Sequence, residues 1–208
     1  HAHDGHCDTG DENTPAHDNH TLVGNCVAGT GHGASIGSLG DVGLTNITFR
    51  NISFAGTTAG ARIKVRDGGE TGRVWGVTFE DLTMKDVETP IDVTMFYDAD
   101  KPQGKGGFVI EDVTFRNIKS SGHKTDGDFL CTTASPCRGI ELEDVSFDGD
   151  KTWTCKDASG KSASGCECFT GTTGTASHVA PDVGACLGPS PPPSPSPPGC
   201  DVAGCLAR

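Results

Sequence analysis

The sequence predicts an all-β chain wound as a right-handed parallel β-helix, and three observations predict it. The first is a repeat. Asn46-Ile47-Thr48-Phe49, Gly76-Val77-Thr78-Phe79, Asp112-Val113-Thr114-Phe115 and Asp144-Val145-Ser146-Phe147 share one pattern: a small or polar residue, a β-branched apolar one, Thr or Ser, then Phe. Their starts lie 30, 36 and 32 residues apart (46 to 76, 76 to 112, 112 to 144), and Asn51-Ile52, Asp81-Leu82 and Asn117-Ile118 extend the first three. Self-similarity at this period marks a solenoid, whose units bury their apolar faces only against their neighbours. The second observation is residue type. β-Branched and aromatic residues favour strands over helices, and parallel strands joined by crossovers wind right-handed. The third is composition: 30 glycines in 208 residues with 34% hydrophobic residues suit many short strands joined by turns. A β-sandwich would instead place tight Asp-Gly turns between evenly spaced strands, and Asp67-Gly68, Asp126-Gly127 and Asp148-Gly149 are not so placed.

Taken in order, the chain opens on a polar segment. Residues 1–20 hold His1, His3, His6, His17 and His20 with Cys7. Imidazole and thiolate suit zinc or copper, but no regular structure would fix their geometry, and the reading is a flexible lead-in without metal. Within it, Asp11 and Glu12 are adjacent acids after Gly10; such a pair is either a solvated turn or a pair of site carboxylates. Gly29 to Gly40 reads GTGHGASIGSLG. The spacing of Ala34, Ile36 and Leu39 suits a strand with one packed face, and His32 stands between Gly31 and Gly33, as a structural residue or as a site residue. In Arg62-Ile63-Lys64 the alternation puts both cations on one face of a strand and Ile63 on the other.

Asp98 to Gly107 reads as a polar loop at one rim. The predicted helix domain spans residues 1–150. A Cys-rich irregular segment follows over 151–188, where Cys155, Cys166, Cys168 and Cys186 read as disulfide-tied coil, a poor match to zinc spacing with His178. PSPPPSPSPP at 189–198 favours polyproline II and reads as a stiff spacer, leaving 199–208 as a tail or the start of a further module.

Charge and cysteine bound the function. Sixteen Lys and Arg against 28 Asp and Glu give a net charge of −12, which argues against a nucleic-acid partner. A polyanionic ligand would need a local cationic site, which Arg62 and Lys64 would supply. Ten Cys favour an oxidising, extracellular compartment, and Asn19, Asn46 and Asn51 begin glycosylation sequons. No apolar run is long enough to span a membrane. The chain begins at His1, not Met, and is read as a fragment or a processed chain.

The glycine-flanked His32 followed by Ala61-Arg62-Ile63-Lys64 resembles the polygalacturonases, pectin-cleaving glycoside hydrolases with a pectin-lyase-like right-handed β-helix. Thr89-Pro90-Ile91-Asp92 with Phe96-Tyr97-Asp98, the segment Phe108 to Ile118, and Cys131 to Ile140 fall in the family's order, so that the resemblance covers about residues 8 to 150. It implies inverting hydrolysis of α-1,4-galacturonan by a secreted, cofactor-free, monomeric enzyme of the cell wall. It implies Asp11 as general acid, Glu12 as part of the water-activating base where the family has a second Asp, and His32 tuning the acid. It implies Arg62 and Lys64 as ligands of a galacturonate carboxylate, and a disulfide between Cys131 and Cys137. An earlier Asn-Thr-Asp-Gly motif of the family, with another carboxylate, would fall before residue 1. Two other readings stand beside this one: a non-catalytic wall-binding scaffold tethered by the Pro/Ser tract, and a hydrolase of rhamnogalacturonan. The first coil is expected to present unpaired strand edges and to make the chain poorly soluble.

Overall fold

A computed structural model of the chain describes residues 8–9, 21–40, 43–66, 71–97, 107–149, 153–162 and 174–175. Every regular element is a strand: β1 (Asp8–Thr9), β2 (Thr21–Ala28), β3 (Ala34–Leu39), β4 (Gly43–Ala55), β5 (Ala59–Arg66), β6 (Gly72–Lys85), β7 (Thr89–Tyr97), β8 (Phe108–Ser121), β9 (Gly127–Leu130), β10 (Cys137–Phe147), β11 (Trp153–Lys156), β12 (Ala158–Ser162) and β13 (Gly174–Thr175). They form two sheets. One runs β1-β2-β4-β6-β8-β10-β12-β13, the other β11-β9-β7-β5-β3. From β2 to β12 successive neighbours are parallel and one coil apart, which is the parallel β-helix expected from the repeat. The terminal β1 and β13 add antiparallel. The outer edge of β2 is therefore partly covered, whereas β3 has no strand on its outer side among the described residues.

The long strands of the eight-stranded sheet bend because each holds two left-handed residues five apart. Asn46, Gly76, Asp112 and Gly139 form one row of positive φ, and Asn25, Asn51, Asp81, Asn117 and Asp144 form a second. Gly, Asn and Asp tolerate this conformation best, the latter two because their short polar side chains bond locally. The second row also bonds across coils: Asn51 Nδ2 donates to Asn25 Oδ1 at 2.8 Å, and Asn117 Nδ2 to Asp81 Oδ1 at 2.7 Å.

Register corrects one expectation. Ile47 pairs with Val77 and Val77 with Val113, as the repeat predicts, but Val113 then pairs with Ile140, not Val145. Val145 pairs with Ile118 instead. The segment Asp144 to Phe147 is thus the copy of Asn117 to Ser120, five residues along. Both bends have the form polar residue then branched apolar residue, so the same motif fits either, and the fourth coil's true copy, Gly139-Ile140-Glu141-Leu142, has no Phe to mark it.

The core is stacked coil on coil. Phe49 and Phe79 stack with ring centroids 4.8 Å apart, Phe79 and Phe115 at 5.3 Å, and Leu142 continues the row. In the facing sheet Ile36, Ile63, Val93 and Phe129 align. The stacking continues past residue 150: β11 pairs with β9 and β12 with β10. Trp153 provides the reason, being buried and stacked on both Phe129 and Phe147. The Cys131–Cys137 disulfide expected from the resemblance is present, and Cys26 and Cys155 are also disulfide-bonded. The expectations for residues 1–7 and 10–20, the 98–106 loop and nearly all of the chain beyond Ser162 lie outside the described residues.

Candidate active site

Parallel stacking turns residues one coil apart into neighbours. On the outer face of the five-stranded sheet, Ser35 pairs with Arg62, Arg62 with Asp92, Asp92 with Asp128, and Asp128 with Thr154. Two residues further along, Lys64 pairs with Thr94, Thr94 with Leu130, and Leu130 with Lys156. Alternation in β5 sends Ala61, Ile63 and Val65 into the core and Arg62 and Lys64 to the outer face, as the sequence predicts.

The two cations share an aromatic floor. The Arg62 guanidinium carbon lies 5.3 Å from the Tyr97 ring centroid and Lys64 Nζ lies 4.3 Å from it. A cation over a ring face is held by the ring quadrupole. Their partners differ. Arg62 Nε lies 2.7 Å from Asp92 Oδ2, an ion pair in which the Nε–H is not aimed at the carboxylate. Lys64, buried at 8% exposure, meets no carboxylate within ion-pair distance among the described residues.

Asp92 is a strained member of this row. Burial is the chief cause that lifts its carboxyl above the ordinary 3.8; Arg62 opposes the lift, Asp128 adds to it, and Lys64 opposes it weakly. Desolvation and a like charge both disfavour an ionised carboxyl.

His32 stands exposed just before β3. Its Nδ1 is 3.1 Å from Thr58 Oγ1, while that hydroxyl donates to Gly31 O at 3.0 Å. A hydroxyl has one hydrogen. With it given to Gly31, Thr58 accepts from Nδ1–H of His32, and in the neutral ring Nε2 is left as a base. The glycines behind this turn are required. At Gly33, φ is +69° and an added Cβ would lie 2.1 Å from Ala59 O; at Gly37, φ is +117° and it would lie 2.1 Å from Lys64 O. Both glycines let β3 approach the strand that holds the cations.

The structure therefore brings Arg62 and Lys64 together and sets His32 at the start of the neighbouring strand. Asp11 and Glu12 lie outside the described residues. Sequence reading missed Asp92 as the partner of Arg62, Asp128 beside it, Tyr97 beneath both cations, and Lys156, whose Nζ lies 4.4 Å from the Phe96 ring centroid. A signal for the first existed: Asp92 follows Arg62 by 30 residues, the repeat itself. A second histidine, His123, has a fully buried side chain held by Ser120, Asp126 and Asp148. It has no open face and serves as a polar pin. Among the described residues no three His, Cys, Asp or Glu side chains converge as a metal site.

Comparison with known proteins agrees with this arrangement. The family described as Glycosyl hydrolases family 28 matches residues 4–168, well over half of the chain. A polygalacturonase of Prunus persica is 39% identical over 127 residues, 57% of this chain and 32% of that protein. One of Brassica napus is 32% identical over 157 residues, 67% of this chain and 39% of that protein. An exopolygalacturonase of Zea mays is 34% identical over 152 residues, 66% of this chain and 37% of that protein. The chain thus spans about a third of the length of such curated relatives.

Proposed function

The chain belongs to glycosyl hydrolases family 28, and from that premise we propose that it is part of a secreted polygalacturonase that hydrolyses α-1,4-galacturonan in cell walls with inversion. One observation supports this reading above the others: two cations of one strand stand over one tyrosine on the outer sheet face, with the glycine-flanked His32 in the turn that leads into the next strand. A uronate unit has an apolar sugar face for the ring and a carboxylate for Lys64. The ten Cys and the formed disulfides support secretion.

In this reading Asp11 protonates the leaving oxygen and Glu12 helps to activate water on the opposite face of the sugar. Inversion needs such carboxyls about 6.5–9.5 Å apart, leaving room for the water. The free Nε2 of His32 exchanges a proton with the acid between turnovers. Lys64 and Tyr97 hold the sugar that defines the cleavage point.

The test is reducing-sugar release from polygalacturonic acid at mildly acid pH, on the chain as given and on a version extended upstream. Activity that falls about 10³-fold or more in Asp11→Asn supports the reading, since general acid catalysis is worth roughly 10²–10⁴. Release that ignores Asp11→Asn, or an extended protein that is folded and inert on galacturonan, refutes it. Activity on rhamnogalacturonan alone would move the substrate assignment to that polymer.

A further inference from the structure

Two of the glycosylation sequons fall on one strand, β4, and begin five residues apart. Each begins at a left-handed bend, with φ of 53° at Asn46 and 55° at Asn51. The two bends hold their side chains differently. In Asn46-Ile47-Thr48 all three residues are half-buried. The Asn46 amide lies against the next coil, where a Cβ added to Gly76 would stand 3.0 Å from its Oδ1. In Asn51-Ile52-Ser53 the middle residue is in the core at 3% exposure, and Asn51 and Ser53 are both exposed.

Asn51 also belongs to the second row of bends, with Asn25, Asp81, Asn117 and Asp144. Two residues after Asn25 comes Val27, and two after Asn117 comes Lys119; of the three asparagines in that row, Asn51 alone is followed at that distance by a hydroxyl residue, Ser53. The hydroxyl is what makes an asparagine an acceptor for N-linked sugar. The amide is engaged in a way that leaves this chemistry open. Its nitrogen carries two hydrogens. One donates to Asn25 Oδ1 at 2.8 Å. Glycan transfer consumes one hydrogen and leaves one for that bond.

We propose that Asn51 carries an N-linked glycan when the chain passes through the secretory route, and that Asn46 does not. The co-reactant is a lipid-linked oligosaccharide diphosphate. Asn51 Nδ2 attacks the anomeric carbon of its reducing-end sugar. The carbon–nitrogen bond forms as the bond from that carbon to the diphosphate oxygen breaks, and the displaced proton leaves with the lipid diphosphate. The glycan then stands on the eight-stranded sheet, whereas Arg62 and Lys64 belong to the five-stranded one. The chain is thus modified with its candidate site left open. A sugar on Asn46 would wedge apart the contact with Gly76, and a chain bearing one would not close that coil. This assignment goes beyond the galacturonan reading and shares with it only the secretory route.

The experiment is secretion of the chain from a yeast host behind a signal peptide. Peptide-N-glycosidase in heavy-oxygen water then turns each occupied asparagine into a labelled aspartate, which peptide mass spectrometry locates. Label is expected at Asn51 and none at Asn46. Ser53→Ala is expected to lose the label with the circular dichroism of the wild type, because it keeps Asn51 and its bond to Asn25. Thr48→Ala, which removes the other sequon, is expected to keep the label at Asn51. Secreted, folded protein without label at Asn51, or with label at Asn46, overturns the assignment. Label at Asn51 that survives Ser53→Ala overturns it too. None of these outcomes touches the galacturonan reading, which stands or falls on sugar release.

Discussion

Lys64 and Arg62 arrive on the same face by the same alternation, yet they end in different electrostatic states. Arg62 is ion-paired to Asp92 and Lys64 is not. If Lys64 holds the uronate carboxylate as proposed, Lys64→Ala is expected to raise KM for galacturonan about tenfold with a smaller change in kcat. Steady-state kinetics at fixed ionic strength checks this. Asp92 predicts a pH effect on the fold. Its carboxyl is lifted above 3.8, so the native state holds the proton more firmly than the unfolded chain. Its contribution to stability is then greatest at low pH and is lost as pH rises from 3.8 through the lifted value. Subtracting the melting temperatures of Asp92→Asn from those of the wild type across that interval should show a falling difference as pH rises. A flat difference would contradict the assignment. At this scale the sequence revealed which side chains were cations and which face they shared. It did not reveal pairing, since a partner one coil away is visible only once register is known.

At the scale of the strand, the stack of rings is the main unit of cohesion. Phe79 is fully buried and lies between Phe49 and Phe115. Phe79→Ala opens a cavity that two neighbouring coils share and is expected to cost about 3–5 kcal/mol in urea unfolding. The existence of these strands was legible because Phe recurs at the coil period. The fourth coil was read five residues out of register because Leu142 stands in the Phe row, while Phe147 follows the second bend. A motif of one polar and one branched residue marks a left-handed bend, and each long strand has two. Sequence similarity identified the bend, and only backbone pairing says which bend it is. The Cys131–Cys137 bond closes a loop with a separation of six residues, and such a short loop stabilises by about 2 kcal/mol in the chain-entropy account.

Over the whole molecule, the helical body does not end where the repeat fades. β11 and β12 extend both sheets, and Trp153 covers Phe129 and Phe147. A chain stopped at residue 150 would leave those rings uncovered. Losing a buried Trp costs about 3–5 kcal/mol, so a chain ending at 150 is expected to melt about 10 °C below one ending at 162, at roughly 2–4 °C per kcal/mol for this size. Differential scanning calorimetry of the two decides it. The boundary was hard to read because Lys151 to Ser162 is short and Gly- and Ser-containing, and only Trp153, Ala158 and the partly buried Cys155 pack against the core among its described residues.

From β2 to β10 of the eight-stranded sheet the paired coils differ in length although their strands keep step. From Cys26 to Ile52 is 26 residues, Ile52 to Leu82 is 30, Leu82 to Ile118 is 36 and Ile118 to Val145 is 27. In these four pairs the surplus is spent between strands, while β3–β5, β5–β7 and β10–β12 each take one register shift within the strand. Doubling a flexible loop costs only about 0.6 kcal/mol in closure entropy. A lineage built on this plan can thus lengthen or shorten the borders of its binding face, and so change which polymer ends and branches it admits, while inheriting the interior intact.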